Sequence, residues 1–275
     1  MQAAIVGLGL MGGSLALDLK LRGIAQKIVG FDHNAEHCRQ ALELSLVDAI
    51  VSFDELKNSD VIFLAIPVEG IIQTLQRLTD IDPATTIIDL GSTKEKIVHS
   101  CPSSIRAQFV AAHPMTGTEY SGPKAALPGL YHDKIVVLCD TEANDVLHKE
   151  RAERIFRALG MQIVFMQAAE HDLHAAFISH LPHAISYALA NSVLGQEDPK
   201  SILILAAGGF RDMSRLAKSN PDMWTDIFKQ NKKNLLTSIE VFKKELRYAH
   251  TLIQQERWEE LHAWMEEATK LHQIL

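Results

Sequence analysis

Cysteine is scarce in this chain: only Cys38, Cys101 and Cys139 occur, far apart and without the spacing of a metal site. That argues against a disulfide framework and for reduced structural residues in a cytosolic protein. Positive charge is not in excess either. The formal net charge is -7 and no basic stripe stands out, so nucleic-acid binding finds no support. No apolar run reaches the roughly 18 residues that a membrane-spanning helix needs. The first apolar stretch is broken by glycines and has no basic segment before it, so no signal peptide is expected. A His-Glu-x-x-His metal motif is also missing. These absences predict a soluble, cytoplasmic chain with no metal, no membrane and no nucleic-acid partner. What remains is ample for folding: 275 residues, 47% of them apolar, suit two packed domains better than disorder.

The most informative segment comes first. Ala3-Ala4-Ile5-Val6 reads as a buried strand, Gly7-Leu8-Gly9-Leu10-Met11-Gly12-Gly13-Ser14 as a glycine turn entering a helix. Gly7, Gly9 and Gly12 have G-x-G-x-x-G spacing: the first allows a tight turn, the second close backbone approach to a pyrophosphate, the third close helix packing. The free N–H groups of the helix N-terminus that follows this turn, with the helix dipole, suit phosphates.

Strands and helices then alternate as in a doubly wound α/β sheet. A helix over Met11–Arg22 precedes a strand over Lys27–Asp32, and Asp32 ends that strand where a carboxylate can bind an adenine ribose 2′-hydroxyl. It would repel a 2′-phosphate, which favours NAD over NADP, although a protonated His33 would offset this. The other reading of Asp32 is a cap for the helix beginning near Asn34. Further strands fall over Val61–Ile66, Thr86–Gly91, Phe109–Pro114, Lys134–Asp140 and Gln162–Met166, with helices over Glu69–Leu78 and Asp145–Leu159. Ligands bind beyond the carboxyl ends of such strands, which makes Pro67, Ser92 and Thr93 candidates for the nicotinamide side of a cleft. Ser92 is equally readable as an N-cap, and Thr93 or Lys94 as a solvated turn. His113 ends a buried strand and is followed by Pro114, so it is placed to project into the cleft. Strand patterning stops near Gln167–Asp172.

The second half is helical. Glu170–Leu194 carries His171, His174, His180 and His183 among apolar residues. His180 and His183 can share a helix face, and Pro182 between them removes a backbone donor and should bend or open the helix. A satisfied core histidine is the competing reading. His171 and His174 read as surface or domain-interface residues. Gly208-Gly209-Phe210-Arg211-Asp212-Met213-Ser214-Arg215 mixes charge with apolar anchors; Arg215 suits a bidentate bond to a substrate carboxylate, Arg211 a structural or exposed place, and Asp212 a cap or an orienting contact. Asn220 and Pro221 start a long helix. Trp224, Ile227, Phe228, Leu235, Ile239, Phe242 and Leu246, then Trp258, Leu261, Met265 and Leu271, form more apolar helical surface than a small domain needs, which predicts a homodimer.

Five ordered motifs together resemble the prephenate dehydrogenase family of tyrosine biosynthesis over nearly the whole chain. They are Gly7–Ser14, Gly91-Ser92-Thr93-Lys94, His113-Pro114-Met115-Thr116-Gly117-Thr118-Glu119, Ser179-His180-Leu181-Pro182-His183 and Gly209–Arg215. The resemblance implies a Rossmann-type NAD-binding domain, placed at residues 1–168, and an all-helical substrate-binding and dimerisation domain at 169–275. It implies NAD-dependent oxidative decarboxylation of prephenate to 4-hydroxyphenylpyruvate and CO2. His113 would then be the catalytic histidine that takes the ring hydroxyl proton. Ser92 would bond near that hydroxyl and help hold His113 in register. His183 and Arg215 would bind substrate, with His180 supporting the pocket and Glu119, Asp212 and Trp224 shaping its entrance. Thr93 stands where related sequences often carry valine. Neither a chorismate-mutase segment nor a regulatory domain fits this length, so a monofunctional enzyme is expected. The nearest alternative is an arogenate or broad-specificity cyclohexadienyl dehydrogenase; a more distant one is a non-catalytic NAD-binding interaction protein.

Overall fold

Alternate residues of the first strand, β1 (Gln2–Val6), feed two different cores. Ala3 and Ile5 pack with Leu15, Phe63, Ile88, Tyr131 and Phe156 on one face, and Ala4 and Val6 with Ile62, Leu64, Ile87 and Phe109 on the other. A strand apolar on both faces must be covered by helices on both, which is the condition of a parallel sheet. The computed structural model, which describes residues 1–274, has that sheet. After β1 come β2 (Lys27–Phe31), β3 (Ala49–Ile50), β4 (Val61–Leu64), β5 (Thr86–Asp89), β6 (Phe109–Pro114), β7 (Ile135–Cys139) and β8 (Gln162–Met166). Their spatial order is β3-β2-β1-β4-β5-β6-β7-β8, and every neighbouring pair is parallel except β6 with β7. The expected α/β doubly wound domain followed by helices is therefore present. β3 and the short Phe53–Leu56 helix were not anticipated. The strand is only two residues long, too short for a period, although Ser52 and Glu55 form a capping box at the helix start.

The sheet order reverses between β1 and β4, so the helices after these strands leave on opposite faces and open a crevice at the carboxyl edge. The Gly7 loop, Pro67, Ser92 and His113 all follow or end strands on that edge.

Beyond Met166 the described chain is helical. Ala168–Ala175 and Leu181–Leu194 are α-helices joined without a break by a π-helical turn, Ala176–His180. Pro182 lies just beyond that turn, and its missing N–H gives the local opening expected of it. Asn220 caps the Pro221–Gln230 helix as anticipated, its side chain accepting the N–H groups of Asp222 and Met223. Helices Lys232–Gln254 and Trp258–Thr269 complete this half and leave Leu236, Val241, Leu246, Ile253, Trp258 and Met265 exposed. No described helix is long and apolar enough to cross a membrane.

Candidate active site

The glycine loop has the shape of a phosphate cradle. Gly7 takes φ +93°, and a Cβ there would lie 2.4 Å from the Ala65 carbonyl oxygen. A Cβ on Gly12 would meet the Gly7 carbonyl oxygen at 1.9 Å, so the Leu10–Leu21 helix packs on the loop only because that residue is glycine. At Gly9 a Cβ would face open space, its nearest neighbour being the Gly122 nitrogen at 4.0 Å. No side chain caps this helix. Its first-turn N–H groups are therefore left for an anion, and the residues present fit a dinucleotide pyrophosphate.

Asp32 follows β2 at the rim of the cradle. Its Oδ2 accepts the Leu8 N–H at 2.9 Å and its Oδ1 the Asn34 N–H at 2.8 Å; His37 Nδ1 lies 3.3 Å from Oδ2. The helix cap is Asn34, whose side chain accepts from Glu36 and His37, so the capping reading of Asp32 is replaced by a tie to the glycine loop.

The Gly91–Lys94 turn after β5 is built on a sealed ion pair. Lys94 Nζ pairs with the Asp89 carboxylate and donates to the Ala112 carbonyl at 2.7 Å; Asp89 Oδ1 accepts the Ala112 N–H at 3.0 Å. Both charged side chains are fully buried, so Lys94 is not a solvated turn residue. Ser92 is not an N-cap: the Glu95–Ser100 helix begins after Lys94 and has no side-chain cap from its own segment. The Asp172 carboxylate performs that service from the helical half, Oδ1 accepting the Lys94 N–H at 2.7 Å and Oδ2 the Glu95 N–H at 3.0 Å. Ser92 is half-buried and bonds to no described residue; the Thr93 hydroxyl is buried without a partner.

His113 ends β6 next to the Ala112 link. Its Nδ1 lies 2.8 Å from His171 Nε2, and His171 Nδ1 lies 2.8 Å from Asp172 Oδ1. His171, which patterning placed at a surface or domain interface, is 3% exposed. It, and not Ser92, is the side chain hydrogen-bonded to His113 among the described residues. Burial, and then the charges of His171, Lys94 and His180, hold the His113 imidazole well below the ordinary histidine range, so the ring is neutral.

A second cluster lies along the helices. His183 stacks on Trp224 with ring centroids 3.4 Å apart, and His180 meets the same indole edge-on at 6.1 Å. His183 Nδ1 donates to the Ser179 carbonyl at 2.9 Å. Asn231 Nδ2 reaches both the Asp172 carbonyl, at 2.6 Å, and His180 Nδ1, at 3.1 Å. An amide nitrogen only donates, so His180 Nδ1 accepts and its proton sits on Nε2, which is buried without a partner; Trp224 Nε1 is likewise unpartnered. Burial pushes His180 down to about 4 and lowers His183 as well, with the Arg215 charge adding to the effect on His183.

Arg215 follows the Gly208–Ser214 helix and is exposed, whereas Arg211 turns back onto the Ala206 carbonyl at 3.1 Å. The Asp212 side chain is exposed in mid-helix and bonds to no described residue, so it makes neither a capping nor an orienting contact. Glu119 is half-buried in the loop after β6. No group of three metal-ligating side chains occurs among the described residues. The residues that patterning missed are His171, Asp172 and Asn231. The Asp172 bonds to Lys94, Glu95 and Asn231 run across 59 to 78 positions of sequence, and no local period signals them.

Comparison with known proteins settles the family. The description "prephenate dehydrogenase, nucleotide-binding domain" matches residues 15–165, and "prephenate dehydrogenase, dimerization domain" matches residues 167–267. The chain belongs to the prephenate dehydrogenase family. The prephenate dehydrogenase of Bacillus subtilis is 32% identical over 271 residues, covering 96% of this chain and 73% of that protein. The crystal structure of Aquifex aeolicus prephenate dehydrogenase with hydroxyphenyl propionate and NAD+ superposes with a TM-score of 0.93 at 34% identity, covering 100% of this chain and 98% of that one. Synechocystis arogenate dehydrogenase superposes with a TM-score of 0.82 at 32% identity and 99% coverage of both chains. As a member of the prephenate dehydrogenase family, the chain is an NAD-dependent dehydrogenase.

Proposed function

We propose that this enzyme oxidatively decarboxylates prephenate to 4-hydroxyphenylpyruvate and CO2. The carrying observation is a neutral, buried His113 whose Nδ1 is committed to His171 while its Nε2 has no described protein partner. A histidine in that state is a base at a strand end on the same sheet edge as the dinucleotide cradle.

Gly7, Leu8, Gly9, Leu10, Met11 and Gly12 hold the pyrophosphate, Asp32 the adenine ribose, and Pro67, Ser92 and Thr93 the nicotinamide side. When bound, NAD accepts hydride from C4 of the substrate ring. His113 Nε2 takes the proton of the C4 hydroxyl. Loss of the C1 carboxylate as CO2 makes the ring aromatic, and His113 returns its proton to the phenolate oxygen, so no net proton is consumed. Ser92 lies beside this hydroxyl. Arg215 and His183 bind substrate carboxylate and side-chain oxygens, with Glu119 and Asp212 at the entrance. The His180 and Trp224 N–H groups support this reading, because a buried donor without an acceptor costs about 1–3 kcal/mol and an anionic ligand supplies one.

Residues 1–168 form the nucleotide-binding unit and residues 169–275 the substrate and dimerisation unit. The apolar side chains left exposed on the Lys232–Gln254 and Trp258–Thr269 helices support a homodimer through that second unit. Steady-state kinetics with prephenate and arogenate, each with NAD and NADP, test the proposal. A higher kcat/KM for prephenate with NAD is expected. Dominant efficiency with arogenate would reassign the substrate, in line with the Synechocystis relative.

A further inference from the structure

Three side chains form a chain of hydrogen bonds from the domain junction to the proposed base. Asp172 is held by two backbone N–H donors, Lys94 to Oδ1 and Glu95 to Oδ2, so both of its oxygens act as acceptors. His171 Nδ1, 2.8 Å from Oδ1, therefore donates to it. A neutral His171 then has a bare Nε2, which accepts from His113 Nδ1 at 2.8 Å. His113 in turn keeps its neutral-state proton on Nδ1 and presents an Nε2 lone pair. The reverse arrangement would leave a proton on His113 Nε2 and no base.

We propose that His171 and Asp172 are positioning residues that fix the tautomer and orientation of His113. Asp172 sets the direction of donation, His171 transmits it, and neither touches the substrate. The local frame is rigid enough for this task. Asp172 also closes the start of the Glu95–Ser100 helix, and its backbone carbonyl accepts from Asn231, so the relay is tied to both halves of the chain. Once His113 accepts a proton, its Nδ1–H remains bonded to His171, and the negative Asp172 two rings away offsets the new charge. The charged and titratable groups around the relay are Lys94 and Asp89 from the β5 turn, with His180 from the π-helical turn. The kinetic consequence rests on the base reading given above; the tautomer does not.

The test uses the full-length protein with 15N-labelled histidine. In the unaltered protein, nitrogen shifts should report His113 protonated on Nδ1. In His171→Leu, where Nδ1 loses its acceptor, the signal should move toward the Nε2–H form. In the same variant kcat should fall about 10- to 1000-fold while the KM values for prephenate and NAD stay within about twofold. His171→Gln, whose amide oxygen can accept, should recover part of the loss. A folded His171→Leu protein with unchanged His113 tautomer overturns the proposal. So does a variant in which kcat, cofactor affinity and melting temperature fall together without a tautomer change, since that marks a packing role alone. If the unaltered protein turns over no cyclohexadienyl substrate yet shows the Nδ1–H tautomer and its loss in His171→Leu, the relay stands and the functional reading fails.

Discussion

Asp172 Oδ1 accepts the backbone N–H of Lys94 at 2.7 Å, so a carboxylate from the first helix of the C-terminal half caps a helix of the nucleotide-binding half. The turn that this bond secures also carries the sealed Lys94–Asp89 pair. Its two ends thus depend on the two halves of the chain.

Removing the Lys94 charge should be costly, because burial alone pushes the Asp89 carboxyl up and Lys94 opposes that push. Lys94→Met should destabilise the fold by about 3–5 kcal/mol, the usual cost of stranding a buried charge. Adding Asp89→Asn, which is neutral and whose amide oxygen can still accept the Ala112 N–H, should recover part of the loss. Chemical denaturation of the two variants measures both effects, and equal stabilities would contradict them.

The two kinds of glycine should separate in experiment. Gly12→Ala forces a Cβ against the Gly7 carbonyl and should lower the melting temperature. Gly9→Val enters open space and should leave the melting temperature nearly unchanged while weakening NAD at least tenfold by blocking its pyrophosphate. Calorimetric titration with NAD, paired with thermal melts, checks the contrast.

His113→Asn should lower kcat by about 100- to 10000-fold, the range of a lost general base, with NAD affinity largely retained. Equal turnover in the substituted protein would remove His113 from the mechanism. Arg215→Ala should instead raise the KM for prephenate about 10- to 100-fold, as expected for a charge-assisted bond of about 1.5–3 kcal/mol. An unchanged KM would argue against carboxylate binding there.

Acid should destabilise the protein. His113, His180 and His183 are held neutral chiefly by burial, with folded-state values below the ordinary range. In the unfolded chain each binds a proton near pH 6.5. The unfolded state therefore binds more protons below that point, so stability is full above about pH 6.5 and falls as pH is lowered. For His180 the loss runs down to about pH 4. Melting temperature measured from pH 7.5 to pH 5 should decline steadily, and a flat profile would contradict the neutral buried state.

Much of the fold was legible because its signals are local. The Gly7–Gly12 spacing, the continuous apolar runs of β4 and β6, and the Asn220-Pro221 helix start each declare themselves within a few residues. Candidate site residues were legible where one motif contains the side chain, as at His113 or His183. It was not legible where chemistry depends on distant partners. Lys94 reads as a solvated turn residue until Asp89 and the Ala112 carbonyl enclose it, and His171 reads as a surface or domain-interface histidine until β6 delivers His113 to it. Asp212 shows the converse: its charge lies amid motif residues, yet its side chain is exposed and makes neither the cap nor the orienting contact that its position suggests.

The π turn at Ala176–His180 acts as a phase correction. In an uninterrupted α-helix each residue advances about 100°, so His171 and His180, nine positions apart, would lie about half a turn out of phase. A π turn takes up one residue more than an α turn, which brings the two rings to within about a quarter turn. Both then lie near enough to His113 that a proton on either disfavours a proton on it. One surplus residue thus sets which histidines lie beside His113, and deleting it would part them without altering a single functional group.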